Sequence, residues 1–286
     1  MTTSLKYTDT LHSYYMRHNG KAIRCTGATT VAKVASNSYN LEKWSERMVA
    51  LGVMQDANLR ENIAMNAENR RALDTLTQQA KEVAGAFKNR DRGSQMHHAL
   101  QMVLTGQDHR LLTPQLRSDA DRLARALDAH KLTPVAERVE QFILYPNFAV
   151  AGRYDCILET TSGDWVLVDL KSSRNAVLYP QSTATQLAIY RNAPLSSVAV
   201  DHKFSEGGDD VCVVADDNWD TTLSERLNPD IAYVLVCEPD AADAEMWTVD
   251  IGHGWEAAQL AFQVLNWRRK FNGGKDIAAL AEGVNA

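Results

Sequence analysis

Apolar side chains first recur at helical spacing in NLEKWSERMVALGVM, where Leu41, Trp44, Met48 and Leu51 fall on one face. Residues 56–90 hold no proline and a single glycine, and are rich in Ala, Glu, Arg and Gln; they predict one long helix or two. Asp91-Arg92-Gly93-Ser94 reads as punctuation, with Ser94 capping a short helix that runs to about Thr105. Pro114 opens a further helix through Ala129. After Pro134 the period changes, and segments 135–145, 148–160 and 164–171 have the length and residue types of strands. Thr161-Ser162-Gly163 predicts a three-residue hairpin loop with glycine at the left-handed position. A helix over 181–192, a strand pair in IAYVLVCE and EMWTVDI, and a helix over 254–271 complete the pattern. Residues 1–20 read as a polar lead-in, IRCTGATTVAKV is open to strand, turn or helix start, and 201–230 reads as loop-rich. Helices, three strands, a helix, two strands and a helix predict an α+β fold with a helical N-terminal part.

Composition changes this picture little, and charge changes it more. The 286 residues are 45% apolar and 23% charged, which excludes a disordered, collagen-like or coiled-coil chain. The longest apolar run, Ile231 to Cys237, is far too short to span a bilayer, and MTTSLKYTDT has no apolar signal core; a soluble, cytoplasmic protein with no membrane partner is expected. The net charge of −6 argues against a sequence-blind nucleic-acid binder. Residues 201–250, however, hold fourteen acids against Lys203 and Arg226. The remainder carries twenty-eight bases against twenty-two acids, which leaves room for a local phosphate-binding surface. Cys25, Cys156, Cys212 and Cys237 form no C-x-x-C pair, so a zinc ribbon or disulfide scaffold is not supported.

The chemistry concentrates in WVLVDLK. Alternation places Trp165, Leu167, Asp169 and Lys171 on one face, with Asp169 and Lys171 roughly 6.6 Å apart along the strand. Folding the hairpin about Ser162 sets Asp155 opposite Asp169. Two such carboxylates lie about 5 Å apart at Cβ, and they repel by roughly 3 kcal/mol at an effective dielectric of about 20. A raised pKa, a cationic partner or a metal ion must offset this. Lys171 supplies one positive charge, and a divalent cation held by both carboxylates is the economical resolution, suited to Mg²⁺ or Mn²⁺. The competing reading is a surface hairpin with its charges in solvent; against it stands the run Val166-Leu167-Val168, which reads as buried.

The stretch VEQFILYPNFAVAGRYDCI, then WVLVDLK, then QLAIY, preceded by GSQMH, resembles the PD-(D/E)XK nuclease superfamily, and specifically its RecB-like exonuclease branch. It matches a Glu on the first strand, G-x-x-D on the second, D-x-K on the third, Q-x-x-x-Y on the next helix, and an upstream G-x-x-x-H. The early Thr-Thr with its Trp helix and the late VDIGHGWEAAQLAFQVLNWRRK are similar to RecB-like nucleases of actinobacterial tailed phages. The resemblance implies a restriction-endonuclease-like αβββαβ core, a mixed central sheet flanked by helices. It divides the chain into a helical region 1–92, a nuclease core 93–272 with an acidic insertion 195–230, and a frayed tail 273–286.

The resemblance also implies roles. Asp155 and Asp169 look like metal-binding carboxylates, with the Leu170 carbonyl and His97 as further ligands. Sequence physics does not choose between His97 and His98; the G-x-x-x-H spacing selects His97. Lys171 looks like the residue that orients or deprotonates the attacking water. Glu140 corresponds to the acid that shapes the metal site, and Gln186 and Tyr190 to residues that contact DNA or steady the catalytic groups. The implied activity is Mg²⁺- or Mn²⁺-dependent hydrolysis of DNA, by an exonuclease of phage recombination, replication or processing, partnered by a recombinase or replication protein. The rivals are a non-catalytic DNA-binding or assembly module and a structure-specific endonuclease. Arg90, Arg92, Arg117, Arg122, Arg125, Arg174, Arg191 and the run 268–270 are candidate phosphate contacts, each with a solvated helix face as its alternative. Gly273-Gly274-Lys275 is not a phosphate loop, so no nucleotide is expected, and the late cysteine group of iron–sulfur relatives is missing, so no cluster is expected.

Overall fold

The computed structural model describes residues 3–9, 11–108, 110, 112–204, 210–239 and 241–270. The chain opens with strands β1 (Thr3–Thr8), β2 (Ser13–His18) and β3 (Lys21–Gly27), followed by helix α1 (Ala28–Ala32). Helices α2 (Tyr39–Gln55), α3 (Ala57–Met65), α4 (Arg70–Val83), α5 (Lys88–Leu104) and α6 (Pro114–Ala129) come next. Strands β4 (Thr133–Tyr145), β5 (Val150–Glu159) and β6 (Trp165–Lys171) lead into α7 (Asn175–Leu178) and α8 (Gln181–Arg191). The last part holds β7 (Leu195–Ser197), β8 (Asp201–Phe204), β9 (Asp210–Val214), β10 (Trp219–Asp220), α9 (Leu223–Arg226), β11 (Ile231–Val236), β12 (Glu245–Asp250) and α10 (Ile251–Lys270). Among the described residues no helix is long and apolar enough to cross a membrane.

The hairpin β5–β6 has the predicted register, Cys156 opposite Val168 through Glu159 opposite Trp165, and Gly163 takes a φ of +86° at its turn. Strand β6 runs parallel to β11, with α8 in the crossover. With β4 antiparallel to β5, the order α6-β4-β5-β6-α8-β11 is an αβββαβ core whose mixed sheet is flanked by helices. On one face Ile157, Leu167 and Val234 pack against Leu187 and Ala188 of α8 and Ala258 and Phe262 of α10. On the other, Cys156, Leu158, Val166 and Val168 pack against Met96 and Leu100 of α5 and Leu123 and Leu127 of α6. The uninterrupted apolar run before Asp169 follows from burial on both faces.

Three sequence expectations give way. The described part of 1–20 is not a polar lead-in: β1 and β2, followed by β3, join β9 and β8 in an antiparallel meander that meets the core at the start of β5. Thr3, Leu5 and Tyr7 alternate inward, a period too short to stand out without its partners. The 201–230 stretch contains strands rather than mostly loop, since β9 pairs with β1. The Asp91–Ser94 punctuation is absent, because α5 runs unbroken from Lys88 to Leu104. The 56–90 segment resolves into two helices, capped by Asp56, whose carboxylate accepts from Leu59 N, and Asn69, whose amide oxygen accepts from Ala72 N. The expected frayed tail 273–286 lies outside the described residues.

Gly152 on β5 is required by close approach. A Cβ there would sit 2.7 Å from the Tyr190 ring and 2.8 Å from the Ala28 Cβ, so α8 and α1 rest directly on bare backbone. Gly152→Ala is expected to lower stability by about 1–3 kcal/mol through overpacking, measured as a drop in the urea midpoint at unchanged m-value. An unchanged midpoint would show that this contact is not tight in solution.

Candidate functional site

Strand β5 has one edge fully occupied by β4, while its other edge is shared. β3 takes Val150 and Ala151, and β6 takes Cys156 through Glu159. Between them β3 and β6 part, and the edge around Asp155 faces an opening in the sheet. There the Asp155 carboxylate substitutes for the missing ladder: its Oδ2 accepts a 2.6 Å hydrogen bond from Leu170 N on the departing β6.

Glu140 reaches the same opening through a kink in β4. It holds φ at +54°, a left-handed conformation costly for a residue that carries a Cβ. Here β4 and β5 change sides together. Val139 and Cys156 pack with α5 and α6, whereas Ile143 and Tyr154 pack with α8 and α10, although unbroken alternation would give each pair a common face. Pairing survives the kink, with Val139 opposite Cys156 and Gln141 opposite Tyr154. Side chains satisfy the disturbed backbone: Gln141 Nε2 donates to Val139 O at 3.2 Å, and Phe142 N donates to Ser197 Oγ at 2.9 Å.

Helix α5 delivers His97, whose Nδ1 lies 3.1 Å from Asp155 Oδ1, while His98 is exposed. Gly93, one turn earlier on α5, shares the face of the helix that carries His97 and lies near Ser172 just beyond β6. Asp169 is almost fully buried and turns to Lys171, Oδ2 to Nζ 2.5 Å. Leu170 is buried between them, tied to Asp155 through its N–H. On α8, Gln186 Nε2 donates to Tyr190 Oη at 2.8 Å. Tyr190 is buried, which removes its ring as a surface for DNA and leaves it a support for the half-buried Gln186.

Arg153 was not singled out from the sequence. Its Nε lies 3.0 Å from Glu140 Oε2, and its guanidinium stands over the Tyr7 and Phe142 rings. Its signal was a lone cation on a strand two residues before Asp155, but its partner Tyr7 belongs to the segment read as lead-in. The other basic candidates are committed elsewhere. Arg92 and Arg122 pair with the buried Asp119, and Arg122 also donates to Glu238 O and Ala241 O. Arg125 pairs with Asp243, Arg174 with Glu245, and Arg117 donates to Arg110 O. Arg191 donates to Asn192 Oδ1, and Arg269 fastens α10 to Phe148 O and Ala149 O. The Arg90 side chain lies outside the described residues.

The carboxylates and cations shift one another. Asp155 holds the His97 imidazolium until about pH 9, against the opposing effect of burial. Burial would raise the Asp155 carboxyl, yet His97, Lys171 and the Leu170 N–H together hold it below the usual range. Burial pushes Glu140 up to about 7, with the Asp155 charge adding and Arg153 opposing. Asp169 is raised, chiefly by burial, and Lys171 is raised by Asp169 and Asp155 despite burial. A single lysine does not balance both aspartates; in the metal-free fold the His97 imidazolium adds the second positive charge.

Donor atoms of His97, Glu140 and Asp155 lie within 4.8 Å of one another. Asp169 is outside that tight group, its Oδ2 held by Lys171 Nζ. Two carboxylates and one imidazole converging beside this buried ion pair fit a divalent cation such as Mn²⁺ or Mg²⁺. His97 must give up its proton to serve as a ligand.

A family model of the PD-(D/E)XK nuclease superfamily matches residues 67–203, just under half of the chain. No curated protein matches it.

Without metal, the His97–Asp155 pair stabilises the fold most between the ordinary carboxylate range and pH 6.5, the ordinary histidine value. Its raised histidine pKa means that this stability fades as pH climbs through about 9. In EDTA, the urea midpoint of the wild type is expected to fall further from pH 6 to pH 10 than that of His97→Gln. Parallel pH profiles would show that the pair does not form.

Proposed function

We propose, from the match of residues 67–203 to a family model of the PD-(D/E)XK nuclease superfamily, that this protein is a divalent-metal-dependent deoxyribonuclease, an exonuclease of RecB-like type acting on phage DNA during recombination, replication or processing in the host cytoplasm. The observation that carries the reading is the convergence of His97, Glu140 and Asp155 beside the Asp169–Lys171 ion pair. That set supports nuclease activity in general; the exonuclease and phage assignments extend it along the resemblance of the motifs.

His97, Glu140 and Asp155 would hold Mg²⁺ or Mn²⁺, with Asp169 and the Leu170 carbonyl completing the donors. When bound, the cation supplies Lewis acidity and positive charge against the phosphate oxygens. Lys171 Nζ, kept protonated by Asp169 and Asp155, acts as a hydrogen-bond donor that orients the attacking water and steadies the developing charge on the phosphate. Asp169 fixes that ammonium in place. Arg153 opposes the burial that raises Glu140 and holds its carboxyl aimed into the site. Gln186, braced by Tyr190, lies on the α8 side of the opening as a contact for the DNA strand. The acidic segment 201–250 is the docking surface proposed for a recombinase or replication protein.

Linear duplex DNA is expected to be degraded with Mg²⁺ or Mn²⁺ and not with EDTA. Asp155→Ala, Asp169→Ala and Lys171→Ala should each lose at least about 100-fold in rate while retaining the wild-type circular dichroism. Equal rates in wild type and variants, or activity in EDTA, would overturn the proposal. Tight DNA binding without cleavage under any metal would favour the binding-module reading, and cleavage of covalently closed circles would favour an endonuclease.

A further inference from the structure

On the far side of the meander, β8 and β9 bring together a second group of donors that the nuclease site does not use. His202 and Cys212 are directly opposed in the antiparallel register of these strands, and Asp210 stands two residues before Cys212 on β9. His202 Nδ1 lies 3.4 Å from Asp210 Oδ2 and 3.7 Å from Cys212 Sγ, and all three donor atoms fall within 4.8 Å of one another.

These separations are informative. An ordinary N–H···O hydrogen bond spans about 2.7–3.2 Å, so the imidazole and carboxylate are too far apart for a good one. Around a tetrahedral Zn²⁺, with Zn–S about 2.3 Å and Zn–N and Zn–O about 2.0–2.2 Å, the N···S edge is about 3.6 Å and the N···O edge about 3.3 Å. The two spacings at His202 Nδ1 are close to those edges. A further atom points the same way: Asp210 Oδ1 is buried with no hydrogen-bond partner among the described residues. The backbone that carries the donors is also held firmly. Cys212 is buried and pairs with Tyr7 of β1, and Asp9 N donates to Asp210 O at 3.2 Å.

We infer that His202, Asp210 and Cys212 form a binding site for a borderline transition-metal ion, Zn²⁺ in the first place, separate from the hard-cation site at the sheet fork. The donor chemistry separates the two. Thiolate and imidazole favour zinc over magnesium, whereas the fork offers carboxylates and a single imidazole. Binding displaces the thiol proton of Cys212 to solvent and leaves Nδ1, a carboxylate oxygen and a thiolate as ligands. The ion would clip β8 to β9 and hold the outer edge of the meander, whose inner strand β1 carries the Tyr7 ring under Arg153.

Cobalt(II), a spectroscopic substitute for zinc, tests the site on the full-length chelator-treated protein. The expected result is a thiolate-to-cobalt charge-transfer band that saturates at one equivalent and is bleached by Zn²⁺. The band should vanish in Cys212→Ser, weaken at least about tenfold in apparent affinity in His202→Asn, and persist unchanged in Asp155→Ala. Zn²⁺ should raise the melting temperature of the wild type and not of His202→Asn, an exposed position whose substitution leaves the core intact. Absence of a thiolate band in the wild type, or its persistence in Cys212→Ser, would overturn the inference and would leave the nuclease proposal untouched.

Discussion

Each carboxylate at the fork of the sheet is matched by a cation from a different position in the chain, and the site rests on that matching. Asp155 on β5 meets His97 from α5, Asp169 meets Lys171 two residues further along β6, and Glu140 on β4 meets Arg153 on β5. Removing one partner of such a buried pair strands the other, at a cost of about 3–5 kcal/mol. The cluster therefore holds itself together without metal, yet stays close to a set of protonation states that a divalent ion would rearrange. Such a convergence of mutually perturbed groups is what a functional site looks like physically.

The backbone prepares this cluster. Where β3 and β6 diverge from the shared edge of β5, the sheet stops supplying partners, and Asp155 catches Leu170 N with its side chain. On the other edge β4 and β5 swap faces across Glu140, whose left-handed φ stores strain at the point where a carboxylate must turn inward. Ser197 and Gln141 fill the hydrogen bonds that the kink disturbs. Gly152 lets α8 lie close enough for Tyr190 to brace Gln186, so this motif glycine acts through helix placement rather than through contact with a ligand.

Burial decides how the remaining polar groups divide between structure and chemistry. Asp119 with Arg92 and Arg122 is a buried network that ties α5 and α6 to the connection after β11. The arginines that looked available for phosphate are mostly engaged in such ties. Tyr190 is likewise withdrawn from the surface by the packing of α8.

Much of this was legible in the residues themselves. Alternation and turn chemistry in 150–171 gave the hairpin, its register from Cys156 to Glu159 and its left-handed glycine, because pairing within a hairpin is local and its register follows from the loop. Helical spacing gave α2, α6, α8 and α10 for the same reason. The β1–β3 strands were not legible, since a short amphipathic strand is recognised by partners that lie some two hundred residues away, β9 in this case. Nor was the charge balance. That His97 would neutralise Asp155, that Glu140 would need a kink and an arginine, and that three donors on β8 and β9 would stand at zinc-like spacings all depend on where distant strands and helices come to rest. Local pattern determined which residues share a strand face; only the packed chain decided which charges meet, because electrostatic partners are chosen by distance in space and not along the sequence.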